Sequence, residues 1–153
     1  MTRAQAKIVT VLLCGAAGLA CPPGDGTGLD PNGNVVTPPA TDSVTLSGDV
    51  QPILTQNCAF AGGCHAGTSP AQNQNLSAGL AYANLVNVPA NEAPGLMRVR
   101  PGQPDSSYLV HKIQGTQATV GGSGGRMPLG GTPLTAAQIA RIRTWISLGA
   151  KNN

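Results

Sequence analysis

Residues 127–150 read M-P-L-G-G-T-P-L-T-A-A-Q-I-A-R-I-R-T-W-I-S-L-G-A, and the second half of that stretch decides the fold class. Ile139, Ile142, Trp145 and Ile146 recur at three- and four-residue intervals, so a helix would carry them on one side. Thr135 stands where an N-cap belongs, since its hydroxyl can accept from a backbone N–H of the first turn. Gly149 closes the element, because glycine reverses the chain past a helix end without steric cost.

Three weaker helical segments precede it. Ser47 or Asp49 is expected to cap a helix over 49–57, with Val50, Ile53 and Leu54 as its apolar face. Residues 77–86 (S-A-G-L-A-Y-A-N-L-V) predict a shorter one. In P-G-Q-P-D-S-S-Y-L-V-H-K-I, Asp105 or Ser106 is the expected cap, and Tyr108, Leu109 and Ile113 form a buried stripe. No run alternates with period two for long enough to predict a sheet. The expected fold is all-α, with long Gly/Pro-rich loops.

The first 45 residues speak to compartment. Arg3 and Lys7 precede an apolar run from Ile8 to Ala20, too short to span a bilayer and of the length of a signal-peptide core. Gly18-Leu19-Ala20-Cys21 resembles the lipobox of a bacterial lipoprotein, which implies cleavage before Cys21 and lipidation of its thiol. The expected organisation is a signal peptide over 1–20, a flexible Pro/Gly/Thr-rich linker over 21–45 and one domain over 46–152. Removing Arg3 and Lys7 leaves seven basic against six acidic residues, a net of +1. With no basic run, a nucleic-acid partner is set aside. Leu, Ile, Val and Phe are only about one residue in five of 46–152, close to the lower limit for a folded core. An apolar cofactor at the centre would explain how so glycine-rich a chain folds.

Processing leaves two thiols, Cys58 and Cys64, in C-A-F-A-G-G-C-H at 58–65. Two thiols with a histidine directly after the second suit covalent haem attachment: the cysteines add across the vinyl groups and the His65 imidazole ligates iron. Five residues separate the cysteines, against two in C-x-x-C-H, and Gly62 and Gly63 can adopt the φ > 0 that an outward bulge needs. Sixty-two residues beyond His65, Met127 lies in a slim Gly/Pro loop and is the candidate for the opposite iron face. Arg98 and Arg100 match carboxylate geometry and are candidate partners of the haem propionates. Other readings of the same residues are a Cys58–Cys64 disulfide, worth about 2.3 kcal/mol by loop entropy, and a zinc site drawing on His111. His111 is also a rival sixth ligand, while Met97 is expected to pack as an apolar side chain.

From Leu46 to Ala150 the chain resembles a class I c-type cytochrome, most closely the single-haem modules of bacterial exported lipoproteins. The resemblance is carried by V-Q-P-I-L-T-Q-N-C, G-C-H-A-G, R-V-R-P-G-Q-P-D-S-S-Y-L-V-H-K-I and the 127–150 stretch quoted above. It implies one covalent haem c, with His65 and Met127 on the iron, and first and last helices crossing beside it. Redox proteins would be its partners, and the lipid at Cys21 would tether it at the periplasmic side of a membrane or the cell surface. No Ser/His/Asp set, paired-carboxylate cleft or phosphate loop appears, so neither enzyme chemistry nor a small-molecule substrate is expected. A haem-based ligand sensor with an open sixth position and a haem-free, disulfide-stapled binding module are the rival functions.

Overall fold

A computed structural model describes residues 43–60 and 64–153. The expected signal peptide, Cys21 and the linker as far as residue 42 lie outside the described residues, as do Gly62 and Gly63. Among the described residues four α-helices make up the frame: α1 (Gln51–Asn57), α2 (Ala81–Leu85), α3 (Tyr108–Gln114) and α4 (Ala136–Ser147). Short 3₁₀ turns punctuate the loops. Among the described residues there is no strand, only isolated bridges such as Val86 with Val99 and Met97 with Ser107. The domain is all-α.

α4 forms for the reasons its sequence advertises. Thr135 is extended (φ −67°, ψ 158°) and its Oγ1 accepts from the Gln138 N–H at 3.2 Å, while Gln138 Oε1 accepts from the Thr135 N–H at 2.9 Å. This capping box satisfies donors that the first turn would otherwise leave open. Ile142, Trp145 and Ile146 are fully buried, and the Trp145 indole N–H donates to the Lys151 carbonyl at 2.9 Å. Gly149, at φ +98°, turns the chain so that Ala150 also packs inward.

The face of α4 packs on α3 and on the π-turn Leu46–Val50 that leads into α1. Two ion pairs tie α4 to its neighbours: Arg141 to Asp49 of the π-turn at 2.8 Å and Arg143 to Asp105 of the 3₁₀ turn Pro104–Ser106 at 2.7 Å. Such exposed pairs contribute about 0–1 kcal/mol each, so apolar burial dominates. Leu46, Val50, Leu54, Leu76, Leu85, Val99, Val110 and Ile113 complete one continuous core around Trp145.

Three local expectations need correction. The cap of the first helical segment is Thr45, not Ser47 or Asp49: Thr45 Oγ1 accepts from Gly48 N–H, and Asp49 Oδ2 accepts from Thr45 N–H at 2.8 Å. Starting earlier places Leu46 on the same buried face as Val50, which a start at Asp49 would forfeit. The second helix begins at Ala81 and not at 77, because Gly79 is left-handed (φ +79°) and interrupts any earlier turn. Asp105 and Ser106 form the 3₁₀ turn Pro104–Ser106 and do not cap α3. Ser107 precedes that helix, with its Oγ donating to the Gln103 carbonyl at 2.9 Å and accepting from the Arg100 N–H at 2.8 Å.

Trp145→Ala should cost about 3–5 kcal/mol of stability, the usual range for emptying a fully buried aromatic site. Thr135→Ala should cost about 1 kcal/mol through loss of the cap. Urea unfolding followed by far-ultraviolet circular dichroism checks both, and equal midpoints for the two variants would contradict the packing described.

Candidate functional site

α1 runs out at Asn57, and Cys58 is its C-cap, its N–H donating to the Leu54 carbonyl at 2.9 Å. The Cys58 side chain is thereby pointed into the core, where it is buried, whereas Cys64 is exposed. The chain returns on itself immediately: the His65 N–H donates to the Cys58 carbonyl at 3.1 Å, which sets His65 beside the first cysteine despite the long spacing. Both thiols are free. Burial first, and then the neighbouring Cys64 thiol, push the Cys58 pKa up to about 11.

His65 is buried, and its orientation is determined by one bond. Its Nδ1 lies 3.2 Å from the Gln74 carbonyl oxygen, which can only accept, so Nδ1 carries the proton. Nε2 is then left with an available lone pair, the arrangement in which a histidine ligates metal. The segment beyond is tied back by Leu76, whose N–H donates to the His65 carbonyl at 2.8 Å, and Gln51 of α1 donates through Nε2 to the Leu76 carbonyl at 2.8 Å.

Cys58, Cys64 and His65 line one cleft, and Met127 and Arg98 line it with them. Met127 arrives on the loop before α4, half-buried, with its N–H donating to the Lys112 carbonyl at 2.8 Å; the Met127–Pro128 peptide is cis. Leu76, Leu109 and Pro128 make the wall apolar, and Phe60 and Leu129 reach it while remaining 52% and 68% exposed. The polar part of the wall is Glu92, Lys112 and Tyr108, with Lys112 Nζ 2.7 Å from Glu92 Oε2. Burial, with the Glu92 carboxylate next in weight, raises the Tyr108 pKa.

The remaining candidates divide. Arg98 is buried, which lowers its pKa, and its guanidinium donates to the Asn84 carbonyl at 2.9 Å and the Gln72 carbonyl at 2.7 Å. Arg100 is exposed and does not line the cleft. His111 is turned away: Nε2 donates to the Asp105 carbonyl at 3.1 Å, which leaves Nδ1 to accept from the Thr116 hydroxyl at 2.9 Å. Among the described residues no three His, Cys, Asp or Glu side chains gather as a metal site. Met97 does not line the cleft.

Sequence reasoning passed over Glu92, Lys112, Tyr108 and Gln74. Tyr108 was visible only as a core residue. Gln74 acts through its backbone oxygen, and Glu92 meets Lys112 across twenty residues, so neither leaves a local signal.

The donor set suits a haem c. Two thiols stand on either side of a short loop, an imidazole presents Nε2, and a thioether lies on the same apolar cleft.

With both thiols unmodified, iodoacetamide at neutral pH should label exposed Cys64 well before Cys58, whose labelling should rise only as pH approaches 11. The folded state holds the Cys58 proton more tightly than the unfolded chain, so stability should fall between the ordinary thiol range and about pH 11. Peptide mapping of the alkylated protein measures the first effect, and equal labelling of the two thiols would contradict the burial of Cys58.

Set against protein-family models, curated proteins and solved structures, the chain matches none of them, and the functional reading rests on its own residues and geometry.

Proposed function

We propose that this chain is a monohaem c-type cytochrome, cytochrome c-like in fold, that carries single electrons while tethered to a membrane on its outer side. The observation that carries the reading is the meeting of Cys58, Cys64, His65 and Met127 on one apolar cleft, with His65 held in the tautomer that frees Nε2. Those residues come from two segments more than sixty positions apart, and a disulfide alone would have no use for His65 or Met127 there.

Haem c, when bound, supplies the one-electron iron couple. The protein supplies everything around it. Cys58 and Cys64 would hold the macrocycle as thioethers, and His65 Nε2 would bind iron. The Gln74 carbonyl, accepting from Nδ1–H, fixes the ring orientation. The Met127 sulfur is a weak, soft donor that favours the ferrous form and so raises the reduction potential. Leu76, Leu109 and Pro128 would exclude water and keep the dielectric low around a bound haem. Arg98 sits where an anionic haem edge would find a partly desolvated guanidinium with N–H groups to spare beyond its two carbonyl bonds. Arg100, at the surface, is the weaker propionate partner. A signal peptide over 1–20 and lipidation of Cys21 would tether the domain at the periplasmic face or cell surface, with redox proteins as its partners.

The full chain exported from a host with haem-maturation machinery should keep its haem through acid-acetone extraction or SDS, with no alkylatable thiol at 58 or 64. A haem-free mass lacking two hydrogens would establish the disulfide-stapled module instead. Met127→Ala should lower the potential and open the iron to carbon monoxide, while Met97→Ala should do neither. A wild-type ferrous protein that binds carbon monoxide rapidly, unchanged by Met127→Ala, would make the chain a ligand sensor.

The tether has its own test. Wild-type protein should carry a lipid mass on a mature chain beginning at Cys21, and Cys21→Ala should abolish that mass while the haem domain still folds. Release of an unlipidated wild-type form would show ordinary signal cleavage.

A further inference from the structure

The stretch G-G-S-G-G-R-M at 121–127 delivers Met127 to the cleft, and three residues of the cleft wall hold that stretch, Tyr108 and Lys112 by their side chains and Glu92 by its backbone carbonyl. Ser123 is where the cleft wall attaches to the loop, while Gln117 holds it on either side, accepting from the Gly122 N–H and donating to the Gly124 carbonyl, both at 2.9 Å. The Ser123 N–H donates to the Glu92 backbone carbonyl at 3.0 Å, and its own carbonyl accepts from the Tyr108 hydroxyl at 3.0 Å and from Lys112 Nζ at 3.3 Å. Lys112 Nζ is also paired with Glu92 Oε2 at 2.7 Å, on side chains only 8% and 20% exposed. The Lys112 backbone carbonyl accepts from the Met127 N–H. One residue therefore holds the loop twice, by its side chain at Ser123 and by its main chain at Met127.

The glycines show how closely the loop is pressed to this group. A Cβ at Gly122 would lie 2.5 Å from a Tyr108 ring carbon and 2.6 Å from its hydroxyl oxygen. A Cβ at Gly124, itself left-handed at φ +74°, would lie 2.9 Å from Glu92 Oε1 and 3.0 Å from Lys112 Nζ. Four glycines in five residues give the free loop a large conformational entropy. A thioether is a weak ligand, so a Met127 carried on an unheld loop would seldom stand where iron could use it. A largely buried ammonium with a carboxylate and a carbonyl as fixed partners specifies one geometry, because any other leaves charge unpaired in a poor solvent.

We infer that Glu92, Lys112 and Tyr108 are positioning residues, a clamp on the 121–125 loop that sets the place of the Met127 sulfur and thereby keeps the sixth iron position closed. The inference rests on the haem reading above, and it adds that closure is controlled from residues that touch neither iron nor sulfur. The clamp acts only through Met127, so its removal has no further effect once Met127 is gone.

Tyr108→Phe and Glu92→Gln test this in the haem-bearing full chain, both being close in shape to the residues they replace. Each should raise the rate of carbon monoxide binding to ferrous protein by about tenfold, the equivalent of one lost net hydrogen bond. Amide exchange at Met127 and Ser123 should quicken in the same variants, while the thioethers and His65 ligation persist. In a Met127→Ala background neither change should add anything. If Met127→Ala opens the iron but the clamp variants leave both carbon monoxide binding and Met127 exchange as in wild type, the clamp is wrong and the haem reading stands. If the clamp variants act equally with and without Met127, their role is general packing and the inference fails. A wild-type chain without haem, or one that Met127→Ala leaves unchanged, overturns both.

Discussion

Burial of one face of α4 holds this domain together. Ile142, Trp145 and Ile146 are almost the only large, wholly enclosed side chains on the longest helix, and both α3 and the turn opening α1 lean on them. In a chain with so few large apolar residues, that contact has little redundancy. It also has a topological effect: α1 carries Cys58 at its C-terminus, α3 carries Leu109 and Lys112, and the loop just before α4 carries Met127. Packing α3 and the turn that opens α1 against α4 therefore brings the walls of the cleft together.

The cleft itself is built largely from backbone bonds. His65 N–H to the Cys58 carbonyl, Leu76 N–H to the His65 carbonyl and Met127 N–H to the Lys112 carbonyl set the chain path, and side chains then decorate it. Such bonds are indifferent to residue type, so the chain path needs few large side chains to define it. Charged groups are used sparingly and are engaged where they are buried: Arg98 by two carbonyls, Lys112 by Glu92 and Ser123.

Legibility in the sequence followed the range of the physics. α4 could be read in full because its apolar spacing, its Thr135 cap and its Gly149 stop are all local. The first helix was visible by its stripe, yet its true cap, Thr45, was hidden because burial of Leu46 moves the start and spacing alone does not weigh that gain. Gly79 looked like a tolerated helix residue until its left-handed conformation appeared. At the site, Cys58, Cys64, His65 and Met127 were legible from residue chemistry, and the fold brings all four to one cleft. Of the two arginines in R-V-R, Arg98 is buried and Arg100 exposed, and the sequence carried no mark of which would be which. Glu92, Lys112 and Tyr108 stayed invisible because their partnership exists only across a folded loop.

Gly122 and Gly124 have a consequence for how substitutions in this chain should be weighed. Surface position and low sequence complexity normally mark a region where evolution and engineering can move freely, and the 121–125 run has both. Yet an added methyl at either glycine would be driven into Tyr108 or into the Glu92–Lys112 pair. The run that most resembles a disposable spacer is thus among the least replaceable parts of the domain. A mutational map of this chain would be expected to show its intolerance following proximity to that buried pair and not depth from the surface.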